Sequence, residues 1–93
     1  MIVDFACQQT ADFHRTGQTR QGWQQIKAVA KRKLDQLATA TALSDLAVPP
    51  GNRLEALTGD RAGQHSIRIN DQWRVCFVWT DQGPRRVEIT DYH

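Results

Sequence analysis

The stretch that decides the fold is QHSIRINDQWRVCFVW, residues 64–79. Its apolar residues recur at every second position on both sides of the polar triplet 70–72, and this period of two is typical of half-buried β-strands. We therefore predict strands over residues 64–69 and 73–79, joined by a tight hairpin. The residues predicted to share the buried face are Ile67, Ile69, Trp73, Val75, Phe77 and Trp79.

The register of this hairpin follows from burial. With a three-residue loop, Ile69 lies opposite Trp73 and both apolar sets reach one face, whereas a slip of one residue would expose a whole set. The same register pairs Arg68 with Arg74 on the polar face. Like charges directly opposite each other are destabilising. We therefore expect these arginines either to bind an anion such as phosphate or to extend separately into solvent.

A second hairpin follows, with a turn predicted over residues 81–84 and a last strand over residues 86–92. In that strand, Val87 and Ile89 alternate with polar residues. The register that buries both of them pairs Ile89 with Phe77. The sequence thus predicts that the strands over residues 73–79 and 86–92 also lie antiparallel.

The end of the last strand brings further polar groups toward the arginines. In the predicted register, Tyr92 lies beside Arg74 and Glu88 projects from the same face. Asp91 and His93 point to the other face unless the chain end twists or bulges. A terminal tyrosine or histidine commonly lies at a sheet edge without a catalytic role, so register alone leaves the function of these residues open.

The first half of the chain has a helical period instead. Residues 2–5 are β-prone, residues 8–16 are predicted to form a short helix, and residues 20–38 a long amphipathic one. The apolar stripe of the long helix consists of Trp23, Ile26, Ala30, Leu34 and Leu37. Its other faces carry Lys27, Lys31 and Arg32, which we expect to meet solvent or a binding partner.

A proline-rich loop over residues 48–52 separates the helices from the strands, because proline lacks an amide donor and restricts its neighbour. One helical turn is predicted before it, over residues 42–46, and a short strand after it, over residues 53–57. Helices followed by an antiparallel meander predict an α+β fold, with N-terminal helices packed on a twisted antiparallel β-sheet. The length supports one domain, residues 1–93.

Composition narrows the classes of protein. The net charge of +2 does not by itself indicate nucleic-acid binding, although all six basic residues after residue 52 are arginines, whose planar fork suits phosphate. No apolar run approaches the ~20 residues of a membrane span, and the N-terminus lacks the pattern of a secretion signal. Cys7 and Cys76 lack metal-site spacing. We expect a cytosolic protein with free thiols, no disulfide and no zinc.

Three motifs give the chain a specific resemblance: Gly59-Asp60-Arg61, Ser66-Ile67-Arg68 before the turn Asn70-Asp71-Gln72-Trp73-Arg74, and the ending Asp91-Tyr92-His93. With them the chain resembles the HigB branch of the RelE/ParE toxin superfamily, in particular the members related to the GraT toxin. The helical first half agrees in order and length, so the resemblance covers essentially the whole chain. It implies the RelE-like fold of microbial RNase type, which the pattern of elements predicts independently.

The resemblance also implies a function. Such toxins of type II toxin–antitoxin systems enter the A site of the 30S ribosomal subunit and cleave mRNA during translation, which arrests growth until a helix-turn-helix antitoxin of the HigA type binds. Operator DNA is bound only through the toxin–antitoxin complex, the location is cytoplasmic, and no membrane is involved. The implied reaction uses no metal ion or other cofactor.

The family's catalytic site carries over to five residues, namely Arg68, Arg74, Asp91, Tyr92 and His93. The arginines are expected to stabilise the phosphate and the transition state, and His93 or Tyr92 to transfer protons. The unperturbed pKa of histidine suits this task better, while Tyr92 has the better register. A tyrosine would act as a base only where nearby cations depress its pKa.

The sequence departs from the family at two positions, because Glu55 and Thr58 stand where other HigB members have a histidine and a lysine. Replacement contacts to the substrate could come from Arg53, Arg61 or His65, although each is also compatible with a structural or solvated role. The reduced set predicts slower cleavage and milder toxicity. Two alternatives stay open: a ParE-like toxin that inhibits DNA gyrase, and a toxin that binds the ribosome or RNA without cleaving it.

Overall fold

The computed structural model describes residues 1–18 and 21–91, except for the side chain of residue 21. In this part of the chain, the helices α1 (Gln8–Thr16) and α2 (Lys27–Thr39) precede a four-stranded antiparallel sheet. The strands, which lie in sequence order, are β1 (Glu55–Ala56), β2 (His65–Arg68), β3 (Arg74–Thr80) and β4 (Gly83–Thr90). Four 3-10 turns complete the described elements, at Gln21–Ile26, Leu43–Ala47, Pro50–Asn52 and Gly59–Arg61. The predicted α+β architecture is confirmed. Among the described residues, no helix has the length and apolarity needed to cross a membrane.

The core lies between the helices and one face of the sheet. The apolar stripe predicted for the long helix is buried at all five positions, and Phe13 and Leu46 join it. The sheet contributes Ile67, Ile69, Val75, Phe77, Val87 and Ile89. Trp73 is half-buried and packs edge-on against Trp23, with ring centroids 6.3 Å apart. The apolar face that the sequence predicts for the first hairpin is therefore confirmed.

The hairpin of β2 and β3 has the predicted register. Arg68 lies opposite Arg74, and the amide of Ile69 donates a hydrogen bond to the carbonyl of Trp73 at 3.0 Å. The loop therefore consists of the three residues 70–72. Because side chains alternate between the two faces of a strand, the arginines project away from the core.

The hairpin of β3 and β4 differs from the prediction. Ile89 lies opposite Val75, so its predicted pairing with Phe77 is wrong. The strand also begins earlier than expected, because Thr80 pairs with Gly83 and leaves a turn of only two residues between them. The predicted four-residue turn over residues 81–84 is therefore too long.

A β-bulge reconciles this tight turn with burial. If the ladder continued without a break from the two-residue turn, Val87 and Ile89 would be shifted by one position relative to β3. Both side chains would then lie on the polar face, because side chains alternate between the two faces of a strand. The register instead shifts between Cys76 and Val78, which leaves one extra residue on β4 and returns both side chains to the core. Arg86, at the bulge, has a left-handed backbone with φ 51°.

The β-prone N-terminal segment runs parallel to the free edge of β4. The Val3 amide donates to the carbonyl of Pro84 at 2.8 Å, the Ala6 amide donates to that of Val87 at 3.0 Å, and Phe5 forms a parallel bridge with Val87. The segment covers backbone groups that an edge strand would otherwise leave unpaired.

Two predicted elements are shorter than expected. The strand predicted over residues 53–57 is reduced to Glu55–Ala56, because Arg53 adopts a left-handed conformation with φ 48° and closes the preceding 3-10 turn. The α-helix predicted over residues 20–38 begins as α-helix only at Lys27. The turns before it are 3-10, and Gly22 lies among them; glycine is costly to order in an α-helix because it loses the most backbone freedom.

Candidate functional site

The polar face of the sheet carries two neighbouring rows of side chains. The first row crosses the four strands and consists of Glu55, Ser66, Cys76 and Glu88, each directly opposite the next. The second row lies two residues along the strands and consists of Arg68, Arg74 and Thr90. Side chains of residues two apart share a face, so both rows project from the side opposite the core.

The arginine pair, Arg68 and Arg74, is held by the loop of its own hairpin. Arg68 Nη2 forms an ion pair with Asp71 Oδ1. Arg74 Nη1 donates to the backbone carbonyl of Asn70 and, at 3.2 Å, to that of Trp73. A carboxylate and two backbone dipoles thus offset the repulsion between the like charges. Two arginines directly opposite each other on one face can together match an anion that offers several acceptor oxygens.

Asp91 follows the end of β4 and lies beside the same loop. Its Oδ2 accepts a hydrogen bond from Gln72 Nε2 at 3.0 Å, which ties the residue after β4 to the hairpin. The residue opposite Arg74 is Thr90, so the register that predicted Tyr92 there is wrong. The predicted proton-transfer residues, Tyr92 and His93, lie outside the described part of the chain.

Arg61 reaches into the first row from the turn Gly59–Arg61. Its Nη1 donates to Glu88 Oε1 at 2.9 Å and to Gln64 Oε1 at 3.1 Å. In the same row, Cys76 is fully buried, and burial raises the pKa of its thiol to about 11. At neutral pH the thiol is therefore protonated, and it supplies neither a nucleophile nor a base.

An open depression of about 350 Å³ lies at the β1 edge of this face. The residues that line it are Glu55, Ala56, Leu57, Thr58 and Arg61. Glu55 and Thr58 stand at the positions where the resemblance implies a histidine and a lysine. The depression is thus formed by a carboxylate, a hydroxyl and a guanidinium group, without the imidazole and the ammonium that the resemblance implies.

Arg53 lies at the arginine end of the sheet. It is exposed and precedes β1 by two residues. The hydrogen bond and charge of Arg68 lower the pKa of the Asp71 carboxyl most, and the charges of Arg74 and Arg53 lower it further. The structure therefore brings Arg53 toward the arginine pair, as a third cation around one carboxylate.

His65 is placed differently from the other predicted contact residues. It lies opposite Phe77, and its ring stacks on the ring of Phe77 with centroids 6.2 Å apart. Phe77 is a fully buried residue of the core. His65 thus belongs to the core side of the sheet, and the structure does not bring it to the polar face.

Asn52 and Lys33 form a support that the sequence patterns did not reveal. Asn52 is fully buried; its Nδ2 donates to Gln36 Oε1 and to the carbonyl of Leu46, both at 3.0 Å, and its Oδ1 accepts from Lys33 Nζ. Burial lowers the pKa of Lys33, and neighbouring arginines, among them Arg68, lower it further. The ammonium therefore lies within reach of the charge of Arg68. A polar residue after Pro-Pro-Gly is typical of any loop, so no sequence signal marks this contact.

Comparison with known proteins identifies the family. A family model of HigB-like toxins, described as "RelE-like toxin of type II toxin-antitoxin system HigB", matches residues 3–93. The chain therefore belongs to the HigB-like toxin family. The fold, with helices on a four-stranded antiparallel sheet, agrees with this membership.

Two relatives of this toxin match over about half of its length. Over 50 residues it is 54% identical to Toxin HigB-1 of Vibrio cholerae, a match that covers 54% of this chain and 53% of that protein. Over 51 residues it is 37% identical to an uncharacterized protein of Haemophilus influenzae, covering 55% and 50% of the two chains. The chain thus spans about half the length of the relatives it matches.

Solved structures agree on the fold over the whole chain. A YoeB/ParE toxin from Agrobacterium tumefaciens superposes with a TM-score of 0.56 at 22% identity, over 99% of this chain and 98% of that one. A YoeB-YefM complex from Staphylococcus aureus gives 0.58 at 21% identity, over 100% and 95%. At this level of identity the likeness shows a RelE-type fold.

Proposed function

We propose that this toxin is an endoribonuclease that cleaves mRNA on the ribosome. The observation that carries the proposal is the arginine pair: Arg68 and Arg74 stand directly opposite each other on the polar face. In a HigB-like toxin, two fixed cations on the face opposite the core are suited to bind a backbone phosphate and to stabilise the charge that it gains in the transition state.

The proposed reaction uses the substrate's own nucleophile. The 2′-hydroxyl attacks the adjacent phosphorus while a base takes its proton; a 2′,3′-cyclic phosphate forms as the bond to the 5′-oxygen breaks, and an acid protonates that oxygen. We assign the proton transfers to Tyr92 or His93, and to Asp91 a role beside them at the chain end. No step of this reaction requires a metal ion or cofactor.

Further contacts to the RNA come from the two ends of the polar face. Arg53 extends the positive surface beside the arginine pair, and Arg61 lines the depression at the β1 edge. His65 was also a predicted contact; because its ring stacks on Phe77, we assign it a structural role in this proposal. The substrate therefore runs across the sheet from the β1 edge toward Asp91.

The proposed partners are the ribosomal A site, with its mRNA, and a cognate antitoxin of the HigA type. The family is one of type II toxin–antitoxin systems, and one structural neighbour was solved as a YoeB-YefM complex. In this proposal, DNA is bound through the antitoxin, and the toxin acts in the cytoplasm once it is released.

The test is to map the 5′ ends of messages after the toxin is expressed and, in parallel, in a purified translation reaction. We expect new ends clustered at A-site codons with the wild-type protein and few with Arg68→Gln. Arg15→Gln is the matched control, because Arg15 also pairs with an aspartate three residues away but lies on α1. Equal cleavage by both variants would refute a role for the arginine pair.

A second candidate is a toxin that blocks the A site without cutting. Glu55 and Thr58 favour it, because they line the depression where the family resemblance implies a histidine and a lysine. Stalled ribosomes on intact messages would establish this function in place of the first. Inhibition of DNA supercoiling by gyrase, with intact messages, would instead indicate a ParE-like toxin.

A further inference from the structure

The loop between the two catalytic arginines carries an anion of its own. Asp71 lies between Arg68 and Arg74 in sequence, and its Oδ1 accepts an ion-pair hydrogen bond from Arg68 Nη2. The side chain of Asp71 is 98% exposed, whereas that of Arg68 is 31% exposed. The carboxylate therefore extends into solvent and contacts the outward edge of a guanidinium group that is itself partly buried.

This carboxylate lies where positive charge converges. Arg68 lowers the pKa of Asp71 first through its hydrogen bond, and the charges of Arg74 and Arg53 act in the same direction. The pair Arg68 and Arg74 is held directly opposite across two strands, an arrangement that needs a counter-charge. A place on this face that stabilises an anion is thus already occupied by a group of the protein.

A carboxylate and a phosphate present similar acceptors to arginine. Both offer two oxygens that can accept parallel hydrogen bonds from the planar guanidinium fork. An ion pair in which one partner is as exposed as Asp71 is weak, because water competes for the carboxylate. It can therefore be exchanged for a stronger anion at little cost, while the arginine keeps its position in the strand.

We propose that Asp71 is an internal stand-in for the substrate phosphate, which occupies Arg68 in the free toxin and is displaced when an RNA phosphodiester binds. This inference rests on the proposed function of the arginine pair and assigns Asp71 as a specificity-determining residue. Isolated phosphates must compete with the carboxylate for Arg68. A longer substrate that also contacts Arg53 and Arg74 displaces it more readily.

The test is a titration of the full chain with inorganic phosphate, followed by NMR on the side-chain Nε–Hε signal of Arg68. Asp71→Asn should lower the Kd for phosphate by about two- to five-fold, the scale of an exposed ion pair. The matched control is Asp12→Asn, because Asp12 pairs with Arg15 three residues away and its replacement changes the net charge equally. An unchanged Kd in Asp71→Asn, an equal gain in Asp12→Asn, or no phosphate-dependent shift in any variant would overturn the inference.

A double-mutant cycle separates exchange at Arg68 from general repulsion between Asp71 and phosphate. If Asp71 acts by occupying the donors of Arg68, then Asp71→Asn brings no gain in a chain that already carries Arg68→Gln. If Asp71→Asn tightened phosphate binding equally in that background, Asp71 would act only by electrostatic repulsion of phosphate. This result would contradict the displacement of Asp71 from Arg68. The Arg74 side-chain signal reports binding in both backgrounds. A purely structural role would lower the thermal unfolding midpoint of Asp71→Asn without changing the Kd.

These measurements need neither ribosomes nor cleavage, so they fail independently of the proposed function. If phosphate binds more tightly to Asp71→Asn but the toxin cuts no message, the proposed displacement of Asp71 by phosphate stands and the endoribonuclease proposal falls. If the toxin cuts messages but Asp71→Asn leaves the phosphate Kd unchanged, the exchange falls and the activity stands.

Discussion

The two hairpins of the sheet reach their registers in different ways. The β2–β3 hairpin is set by its own residues: Asn70 Oδ1 accepts hydrogen bonds from the amides of Gln72 and Trp73, at 2.8 and 2.7 Å, and closes the loop. The β3–β4 hairpin depends on distant segments. Asp4 accepts a hydrogen bond from the amide of Arg86 at 2.6 Å, at the bulge that returns β4 to the core.

The two hairpins therefore have different roles: the first carries the residues proposed to act on RNA, and the second holds the surrounding structure in place. The self-contained hairpin carries the arginine pair, so the candidate phosphate site is built from residues close in sequence. The other hairpin determines where β4 ends, and it therefore positions Asp91 beside the loop of the first. Changes in the first hairpin should act on activity, and changes around the second on stability.

The largest effect is expected from removal of an arginine in the first hairpin. Arg74→Gln keeps the strand but removes a cation that we propose stabilises the transition state, so mRNA cleavage on ribosomes should fall by about 100-fold or more. Arg85→Gln is the matched control in the second hairpin, since Arg85 is also an arginine of the sheet and pairs with Asp4 on the surface. Similar losses in both variants would contradict the division between the hairpins.

The next largest effect concerns the turn of the second hairpin. Gly83 has φ 122°, and a Cβ there would lie 2.3 Å from the carbonyl oxygen of Met1. Gly83→Ala should therefore strain the turn, push the N-terminal segment off β4 and lower the free energy of unfolding by about 3 kcal/mol. Gly51→Ala, where a Cβ meets open space, is the control. Urea denaturation that gives equal midpoints for the two variants would refute this.

These differences also explain what the sequence could predict. Period-two alternation gave the first register, because Asn70 and the flanking apolar residues encode a local loop. The second register was missed by two residues, because the bulge at Arg86 depends on Asp4, some eighty residues away in sequence, and no local pattern marks it. Parity still placed Val87 and Ile89 correctly in the core, since burial tolerates an even shift but not an odd one.

The residues of the candidate site also differ in whether the sequence predicts their placement. Arg68 opposite Arg74 follows from alternation alone, whereas the placement of Asp71 on Arg68 depends on the loop geometry. His65 was expected among the substrate contacts, although the alternation that buries Ile67 and Ile69 also puts His65 on their side of the strand. The support by Asn52 required knowledge of how three segments meet.

A smaller effect is expected where α1 anchors β4. Thr10 is fully buried, and its Oγ1 accepts a hydrogen bond from the Ile89 amide at 3.1 Å. Thr10→Val keeps the shape but leaves that amide without its acceptor, so the free energy of unfolding should fall by about 1–2 kcal/mol. Faster hydrogen exchange at Ile89 should accompany the loss. The control is Thr39→Val, because Thr39 is exposed and bonds only within its own helix; a comparable loss there would show that any threonine-to-valine change has this cost.

The smallest effect is a dependence on pH that distinguishes the hairpins. The hydrogen bond from the Arg86 amide, followed by that from the Arg85 side chain, lowers the pKa of Asp4 in the folded protein. A group whose folded pKa lies below its unfolded value of about 3.9 stabilises the fold above that value, and this stabilisation is lost as the pH falls through the folded pKa. Wild-type stability should therefore decline more steeply on acidification below about pH 5 than that of Asp4→Asn, and the two curves should converge in acid.

Hydrogen exchange at single amides can assign this effect to the bulge. It is measured as the pH is lowered through the range in which stability declines, and it is corrected for the intrinsic pH dependence of exchange. Protection of the Arg86 amide should fall as Asp4 is protonated, whereas Ile69, whose amide bonds a backbone carbonyl in the other hairpin, should follow only global stability. Asp12→Asn provides the control, because the pKa of Asp12 is also lowered, first by Gln8 and then by Arg15, without contact to the bulge. Asp12→Asn should make the decline of stability in acid less steep, but it should leave the difference in protection between the Arg86 and Ile69 amides unchanged. If Arg86 and Ile69 lost protection together in the wild type, the bulge would not depend on Asp4, and the contrast between a local and a long-range register would fail.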